Sequence, residues 1–308
     1  MATPLVSVII PAYNHEKYIA AAVDSVLRQS CDDLELIVID DGSTDQTGEV
    51  VQSYHDKRLS YFYQDNQDAY HTINRGIGMA KGDYLAILNS DDVYTEDRLE
   101  KLLTHQRESN AQCIFTDVIP ISDTGVEFKA PDFGWNIWHS KNRKTYFISY
   151  DLYAAFLKGN LLVTTSNLFM TREAQLQVGF FSSLRYLHDY DFIFRMLLTH
   201  PGGVSYLHDQ RLLYYRIHPN NTLGEAAIIG REQDQQVIRK YMLARLSKNE
   251  RIYAEAGASR LVELEQELQV VKASLQPEKL NRGVRPAAKE LLYSLHIWLQ
   301  KKFSPAQG

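Results

Sequence analysis

Tyr84-Leu85-Ala86-Ile87-Leu88-Asn89-Ser90-Asp91-Asp92 runs from an unbroken apolar segment directly into two adjacent carboxylates. The apolar half reads as a strand buried on both faces, as parallel sheets produce. Two neighbouring carboxylates at the mouth of such a strand are costly unless something offsets their charge. Hard divalent cations, which take oxygen ligands, are the usual offset. In α/β sheets the carboxyl ends of strands are also where ligands bind.

The flanking sequence repeats the same grammar. Val6-Ser7-Val8-Ile9-Ile10 and Leu34-Glu35-Leu36-Ile37-Val38-Ile39 are further buried-strand patterns, and Leu59–Tyr63 is a shorter one. Between them, residues 18–29, 46–55 and 69–79 carry apolar side chains at helical spacing. Strand–helix alternation at this interval predicts βαβ units and a doubly wound, mostly parallel sheet flanked by helices, the α/β class. Past Gln112 the pattern loosens. Residues 113–118 predict a strand. Residues up to 146, with Pro131 and Gly134, read as loop-rich. Residues 147–156, 172–177 and 189–200 predict helices, and 211–216 a strand. Gly76-Ile77-Gly78 falls inside a helical pattern and lacks the spacing of a dinucleotide fingerprint.

The 308 residues are 44% hydrophobic and 23% charged, as in an ordinary globular protein. A net charge of −5 argues against nucleic acid as a partner. Two cysteines, Cys31 and Cys113, exclude a disulfide framework and fit a reducing compartment. No basic, signal-like leader and no spanning-length apolar run is visible, so the expected location is cytoplasmic. Residues 277–303 hold six Lys/Arg against two Asp/Glu. Within them, 285–303 reads as a basic amphipathic helix, suited either to the inner face of the cell membrane or to a protein surface. Leu261, Leu264, Leu268, Val271 and Leu275 keep a coiled-coil rhythm that offers a route to a homo-oligomer.

Four constellations carry candidate chemistry. Asp40-Asp41, at a strand end, can accept from a pyrimidine imide or a ribose hydroxyl, or can simply shape a turn that caps a helix. Asn89-Ser90-Asp91-Asp92 can hold a metal or ribose, with a helix start as the plainer reading. A metal here would neutralise a phosphate-bearing substrate. His188-Asp189-Tyr190-Asp191 opens a helix, and one of its carboxylates can act as a general base while the other serves the helix dipole. His218 offers an imidazole that suits Mn2+ beside Asp91, although a lone histidine after a strand is often structural.

Taken in order, Val6–Asn14, Asp40–Asp45, Asn74-Arg75-Gly76, Leu88–Asp92 and His188–Asp191 resemble the family-2 inverting glycosyltransferases with the GT-A fold, of the bacterial surface-polysaccharide type. The resemblance covers about the first 220 residues. It implies a GT-A domain over 1–224, with a nucleotide-binding half at 1–105 and an acceptor half at 106–224, and a helical C-terminal extension over 225–308. It also implies a nucleotide-sugar donor (a UDP-sugar first, a dTDP- or GDP-sugar next) and a glycan or lipid-linked acceptor. Pro11, Tyr13, Asn14, Asp40 and Asp41 would line the nucleobase site. Arg75, Asn89, Ser90 and Asp91 would meet the rest of the donor. Asp91, Asp92 and His218 would hold Mn2+ or Mg2+, and Asp189 would be the catalytic base. Three places depart from the family pattern: Asn89 stands where many members carry the first Asp of a DxD motif, His188 replaces the Glu that usually precedes the base, and Gln67-Asp68-Ala69-Tyr70-His71 differs from the usual small-residue run. A nucleotidyltransferase and a non-catalytic sugar-nucleotide-binding scaffold are the competing readings. The first would need a basic triphosphate loop, which Pro11-Ala12-Tyr13-Asn14 lacks.

Overall fold

The structure, a computed structural model, describes residues 3–218, 229–244, 246–248 and 250. The chain divides into two compact units, Met1–Ala244 and Arg245–Gly308. The coiled-coil rhythm at 261–275, the amphipathic segment 285–303 and the oligomerisation route lie outside the described residues.

Eight strands form one mixed sheet in the order β3-β2-β1-β4-β7-β6-β8-β5. In chain order these are β1 (Val6–Ala12), β2 (Leu34–Asp40), β3 (Leu59–Tyr63), β4 (Tyr84–Ile87), β5 (Val93–Tyr94), β6 (Cys113–Ser122), β7 (Phe169–Thr171) and β8 (Val204–Ile217). The first four run parallel: β1 pairs with β2 from Val6↔Leu34 to Ala12↔Asp40 and with β4 from Val6↔Tyr84 to Ile9↔Ile87, and β2 pairs with β3. The far half mixes directions. β7 is antiparallel to both β4 and β6, β8 is parallel to β6, and β5 is antiparallel to β8.

The apolar runs are continuous because each sheet face has its own core. Ile9, Ile37, Ile39, Leu85 and Ile87 point to one face and pack with Ile73 and Ile77 of α3 (Ala69–Met79). Their neighbours Val8, Ile10, Leu36, Val38 and Ala86 point to the other. That second face meets Ile19, Val23 and Val26 of α1 (Ile19–Leu27) and Leu99 of α4 (Arg98–Ser109). Period-two alternation thus buries both sets. Gly76 lets α3 lie against β1, since a Cβ there would sit 2.4 Å from Ile9 Cγ2.

Two expectations change past Gln112. The stretch read as loop-rich contains a 16-residue helix, α5 (Gly134–Ser149). The helix expected over 147–156 is two helices, because Tyr150 at φ 51° turns left-handed between α5 and α6 (Leu152–Phe156). α7 (Arg172–Val178) and α8 (His188–Thr199) fall where the pattern put them. Between α2 (Thr47–Gln52) and β3 the chain keeps its predicted order. A further helix among the described residues, α9 (Ile229–Ala244), belongs to the first compact unit and buries Val237 and Tyr241 in its core.

Candidate active site

The carboxyl ends of β1, β2 and β4 open on the same edge, and the loops leaving them are stitched together. Asn14, just past β1, takes φ 51°, a left-handed conformation that asparagine tolerates better than most residues. Its side-chain oxygen accepts from Thr44 N at 2.8 Å, and its own N–H donates to Ser43 Oγ at 3.0 Å. Asp45 accepts from Glu16 N at 3.0 Å and from Thr47 N at 3.0 Å. His15 N–H donates to Thr47 Oγ1 at 2.8 Å. The acidic turn after β2 therefore fixes the loop after β1.

The two carboxylates of Asp40-Asp41 divide their work. Asp40 accepts from Ser43 N at 2.8 Å and Tyr61 Oη at 2.9 Å, so both its oxygens serve the fold. Asp41 accepts from Gln64 Nε2 at 2.6 Å and Gln67 N at 3.0 Å. Gln64 Oε1 accepts in turn from Arg75 at 2.9 Å. Asp41, Gln64 and Arg75 are thus one linked row. Gln64 and Arg75 also line a shallow hollow of about 610 Å³ with His71 and Phe180. Tyr13 leaves 47% of its surface open, and Pro11 is half-buried in β1.

Past β4, Asn89, Ser90, Asp91 and Asp92 make their contacts in different directions. Asn89 donates from its backbone to Ser166 Oγ at 2.9 Å and from Nδ2 to Thr164 Oγ1 at 3.0 Å. Ser90 Oγ lies 2.7 Å from His15 Nδ1. Asp92, expected among the metal ligands, is turned into the protein. Its Oδ1 accepts from Arg216 N at 3.0 Å, and its Oδ2 from Ser166 Oγ at 2.6 Å and Thr164 Oγ1 at 3.1 Å. Burial, then the neighbouring Asp91 charge, pushes its carboxyl up to about 8.

Asp91 makes none of these contacts and instead meets His218, with its side chain only 13% exposed. Its Oδ2 lies 3.1 Å from His218 Nε2, at the end of β8. Burial alone would raise its pKa, but the hydrogen bond to His218 and the two nearby imidazoles outweigh that and hold it low. His15, Asp91 and His218 each present one ligand atom, all within 4.8 Å of one another. Burial, opposed by Asp91, depresses the His15 pKa and favours the neutral ring. The donor set is one carboxylate oxygen and two imidazole nitrogens. The 3.1 Å edge matches the roughly 3 Å between adjacent ligands around an ion held at about 2.1 Å. The three residues therefore fit a divalent cation. Tyr18 backs the cluster, its ring 4.9 Å from that of His218, with the Arg216 guanidinium 5.1 Å from its centre. The Tyr18 hydroxyl and Lys17 both bond Asp123.

Asp189 stands at the start of α8, buried. Its Oδ2 accepts from Asn160 Nδ2 at 3.1 Å and its Oδ1 from Tyr190 N at 2.7 Å. Asp191, two residues on, does structural work. Burial alone would raise its pKa, but Lys240, Ser182, Tyr241 and Arg195 more than offset this and hold it at about 2. Its bonds to Lys240 and Tyr241 tie α8 to α9. His188 Nε2 lies 3.1 Å from Thr165 Oγ1, and burial depresses its pKa.

One segment that sequence reasoning passed over connects these parts. Within residues 160–167, Asn160 holds Asp189, Thr165 meets His188, and Thr164 and Ser166 hold Asn89 and Asp92. Val163 at φ 69° is forced into a region that β-branched residues avoid. The available signal was the polar run Thr164-Thr165-Ser166-Asn167 inside an apolar neighbourhood. Tyr215, on β8, senses Asp92, Asp91 and Asp189 together; burial first, then these charges, raise its phenol pKa. His15 was the other omission, although it directly follows Asn14.

Residues 7–174 match the family described as Glycosyl transferase family 2, more than half of the chain. The chain belongs to that family. It is similar to an uncharacterised glycosyltransferase of Rickettsia typhi, 29% identical over 255 residues that span 81% of this chain and 75% of the relative. Chondroitin synthase of Escherichia coli is 28% identical across 77% of this chain and 32% of its own. A putative teichuronic acid biosynthesis glycosyltransferase of Bacillus subtilis is 42% identical across 40% of this chain and 50% of its own. Among solved structures, S. aureus TarS 1–349 in complex with UDP-GlcNAc superposes with a TM-score of 0.60 at 20% identity, over 80% of this chain and 69% of that one. The mannosyltransferase of Pyrobaculum calidifontis in complex with GDP-Man and Mn2+ gives 0.58 at 18% identity, over 97% of this chain and 81% of that one. These likenesses establish the fold of a family-2 glycosyltransferase. No helix among the described residues is long and apolar enough to cross a membrane.

Proposed function

We propose that this family-2 chain moves a sugar from a nucleoside-diphosphate sugar to a hydroxyl of a glycan or lipid-linked acceptor, with inversion at the anomeric carbon. The observation that carries the reading is the segment 160–167, in which Asn160 bonds Asp189 while Thr164 and Ser166 bond Asp92, the neighbour of Asp91. That shared segment supports reading Asp189 and the Asp91 turn as parts of one site. Tyr13, Asp41 and Arg75 would receive the nucleoside, with the open Tyr13 ring as a platform. Asp91 and His218 would hold Mn2+ or Mg2+, which when bound stabilises the negative charge that builds on the departing diphosphate. Asp189, acceptor-only when ionised and fixed by Asn160, would take the proton of the attacking hydroxyl. A single displacement from the face opposite the leaving group then inverts the centre.

Relatives whose names refer to chondroitin and teichuronic acid support a polysaccharide acceptor. Neighbours bound to UDP-GlcNAc and GDP-Man support a nucleotide-sugar donor. The test is a thermal-shift screen of UDP-, dTDP- and GDP-sugars with Mn2+, followed by assay of nucleoside-diphosphate release. Stabilisation by at least one donor, with release that needs an acceptor, is expected. Absence of any nucleotide-dependent stabilisation would overturn the proposal, and stabilisation without release in the presence of any acceptor would favour the scaffold.

A further inference from the structure

We propose that His15 is a third protein ligand of the cation site, making it a two-imidazole, one-carboxylate centre. That centre forms before the nucleotide arrives and selects transition-series divalent ions over Mg2+. The inference rests on the reading that a cation sits at Asp91 and His218, and it adds a ligand and a selectivity.

His15 is positioned as a ligand would be. Its backbone is fixed by Thr47 at 2.8 Å, and its ring by Ser90 at 2.7 Å. The ring stands edge-on to His218, with centroids 5.8 Å apart and planes at 89°, and edge-on to Tyr18 at 5.6 Å. Its ligand atom lies within 4.8 Å of those of Asp91 and His218. With the ring proton on Nδ1 and donated to Ser90 Oγ, Nε2 carries the lone pair. Metal-binding histidines are usually oriented by an outer hydrogen bond of this kind. The plain alternative is that His15 only bridges Ser90 to the β1 loop. That alternative explains the Ser90 contact but not the convergence of three donors from separate parts of the chain.

Three protein donors already in place provide affinity without a diphosphate. Two of them are nitrogens. Imidazole suits Mn2+, Co2+ and Zn2+, whereas Mg2+ favours all-oxygen shells and gives up its water reluctantly. The donor set should therefore bind Mn2+ in the absence of nucleotide and resist exchange with excess Mg2+.

The experiment measures Mn2+ binding to the full chain by loss of the free-ion EPR signal, with and without UDP or GDP. It compares wild type with His15→Ala, His15→Gln and His218→Ala. His15→Gln keeps a hydrogen-bonding partner for Ser90 and removes the imidazole. Losing an outer-sphere partner costs about 10–100-fold in affinity, so losing a ligand should cost at least that. The expected result is nucleotide-independent binding in wild type, weakened by both His15 variants, with Co2+ and Zn2+ but not Mg2+ displacing Mn2+. The nitrogen couplings in pulsed EPR should fall from two imidazoles to one in His15→Gln. Wild-type affinity and two-nitrogen coupling in His15→Gln would overturn the role of His15 while leaving the cation at Asp91 and His218. Binding that appears only with nucleotide would overturn preassembly. Free exchange with Mg2+ would overturn the selectivity. No Mn2+ binding with or without nucleotide would remove the cation from the site altogether.

Discussion

Asp92 should behave as part of the scaffold, and a pair of substitutions tests this. Its two oxygens accept from Arg216 N, Ser166 Oγ and Thr164 Oγ1. Asp92→Ala orphans these donors unequally. The Thr164 hydroxyl also reaches Ser166 Oγ at 3.2 Å, so the two hydroxyls can re-pair by rotating. The Arg216 amide is held in a strand and cannot. One buried, unsatisfied N–H costs about 1–3 kcal/mol, and partial loss at the hydroxyls adds roughly 1. The sum is about 2–4 kcal/mol, and at roughly 2–4 °C per kcal/mol for a domain of this size Tm should fall by about 4–16 °C. Asp92→Asn keeps an acceptor for Arg216 and a polar partner for the hydroxyls, so its loss should stay under about 1 kcal/mol. Melting curves and Mn2+ titrations on both variants, beside Asp91→Asn, are the assay. Asp92→Asn should bind Mn2+ like wild type, while Asp91→Asn should not. An Asp92→Asn protein that melts normally and has lost the metal would refute the reasoning and make Asp92 a ligand.

Other expectations follow from the same contacts. Asp189→Asn should keep donor affinity, measured by calorimetry, and lower kcat by roughly 10²–10⁴-fold, the usual contribution of a positioned base; wild-type turnover would reassign that role. Gly76→Ala should lower Tm, because overpacking against buried Ile9 costs about 1–3 kcal/mol and exceeds the ~1 kcal/mol gained in helix propensity; an unchanged melt would show that α3 can slide. Asp191 has a folded pKa of about 2, below its unfolded value, so its contribution is complete above about pH 4 and is lost as pH falls towards 2. Asp191→Asn should therefore flatten the acid limb of a stability–pH curve between those values, and an unaltered limb would mean that its four partners do not favour the charged form.

The parallel half of the sheet was legible because β1, β2 and β4 are buried on both faces and so carry their signal in composition alone. α3 was legible because Thr72, Ile73, Gly76 and Ile77 fall on one buried face. α5 was not. It exposes Ile137, Trp138, Phe147 and Ile148, so no apolar stripe separates inside from outside. β5 and β7, two and three residues long, exist only through their partners. In the site, Asp91, His218 and Asp189 stood out as carboxylate or imidazole groups at element ends. Separating Asp91 from Asp92 required knowing that residues 164–166 fold back beneath the turn. Asp40 and Asp41 likewise look alike in sequence, and only Tyr61 and Gln64 distinguish them.

The proposed cation cluster would also set an order of events during synthesis. His15 and Asp91 come early in translation, but His218 follows Asp91 by 127 residues. At roughly 5–20 residues per second, about 6–25 s of elongation separates them. A nascent chain that has made the β1 and β4 loops would still lack the proposed ligand His218, so the centre could not close until β8 has been made and laid beside β6. Metal capture would then report a sheet finished as far as β8, ahead of α9 and its core side chains Val237 and Tyr241, and a chain stalled before residue 218 would carry no such centre to load.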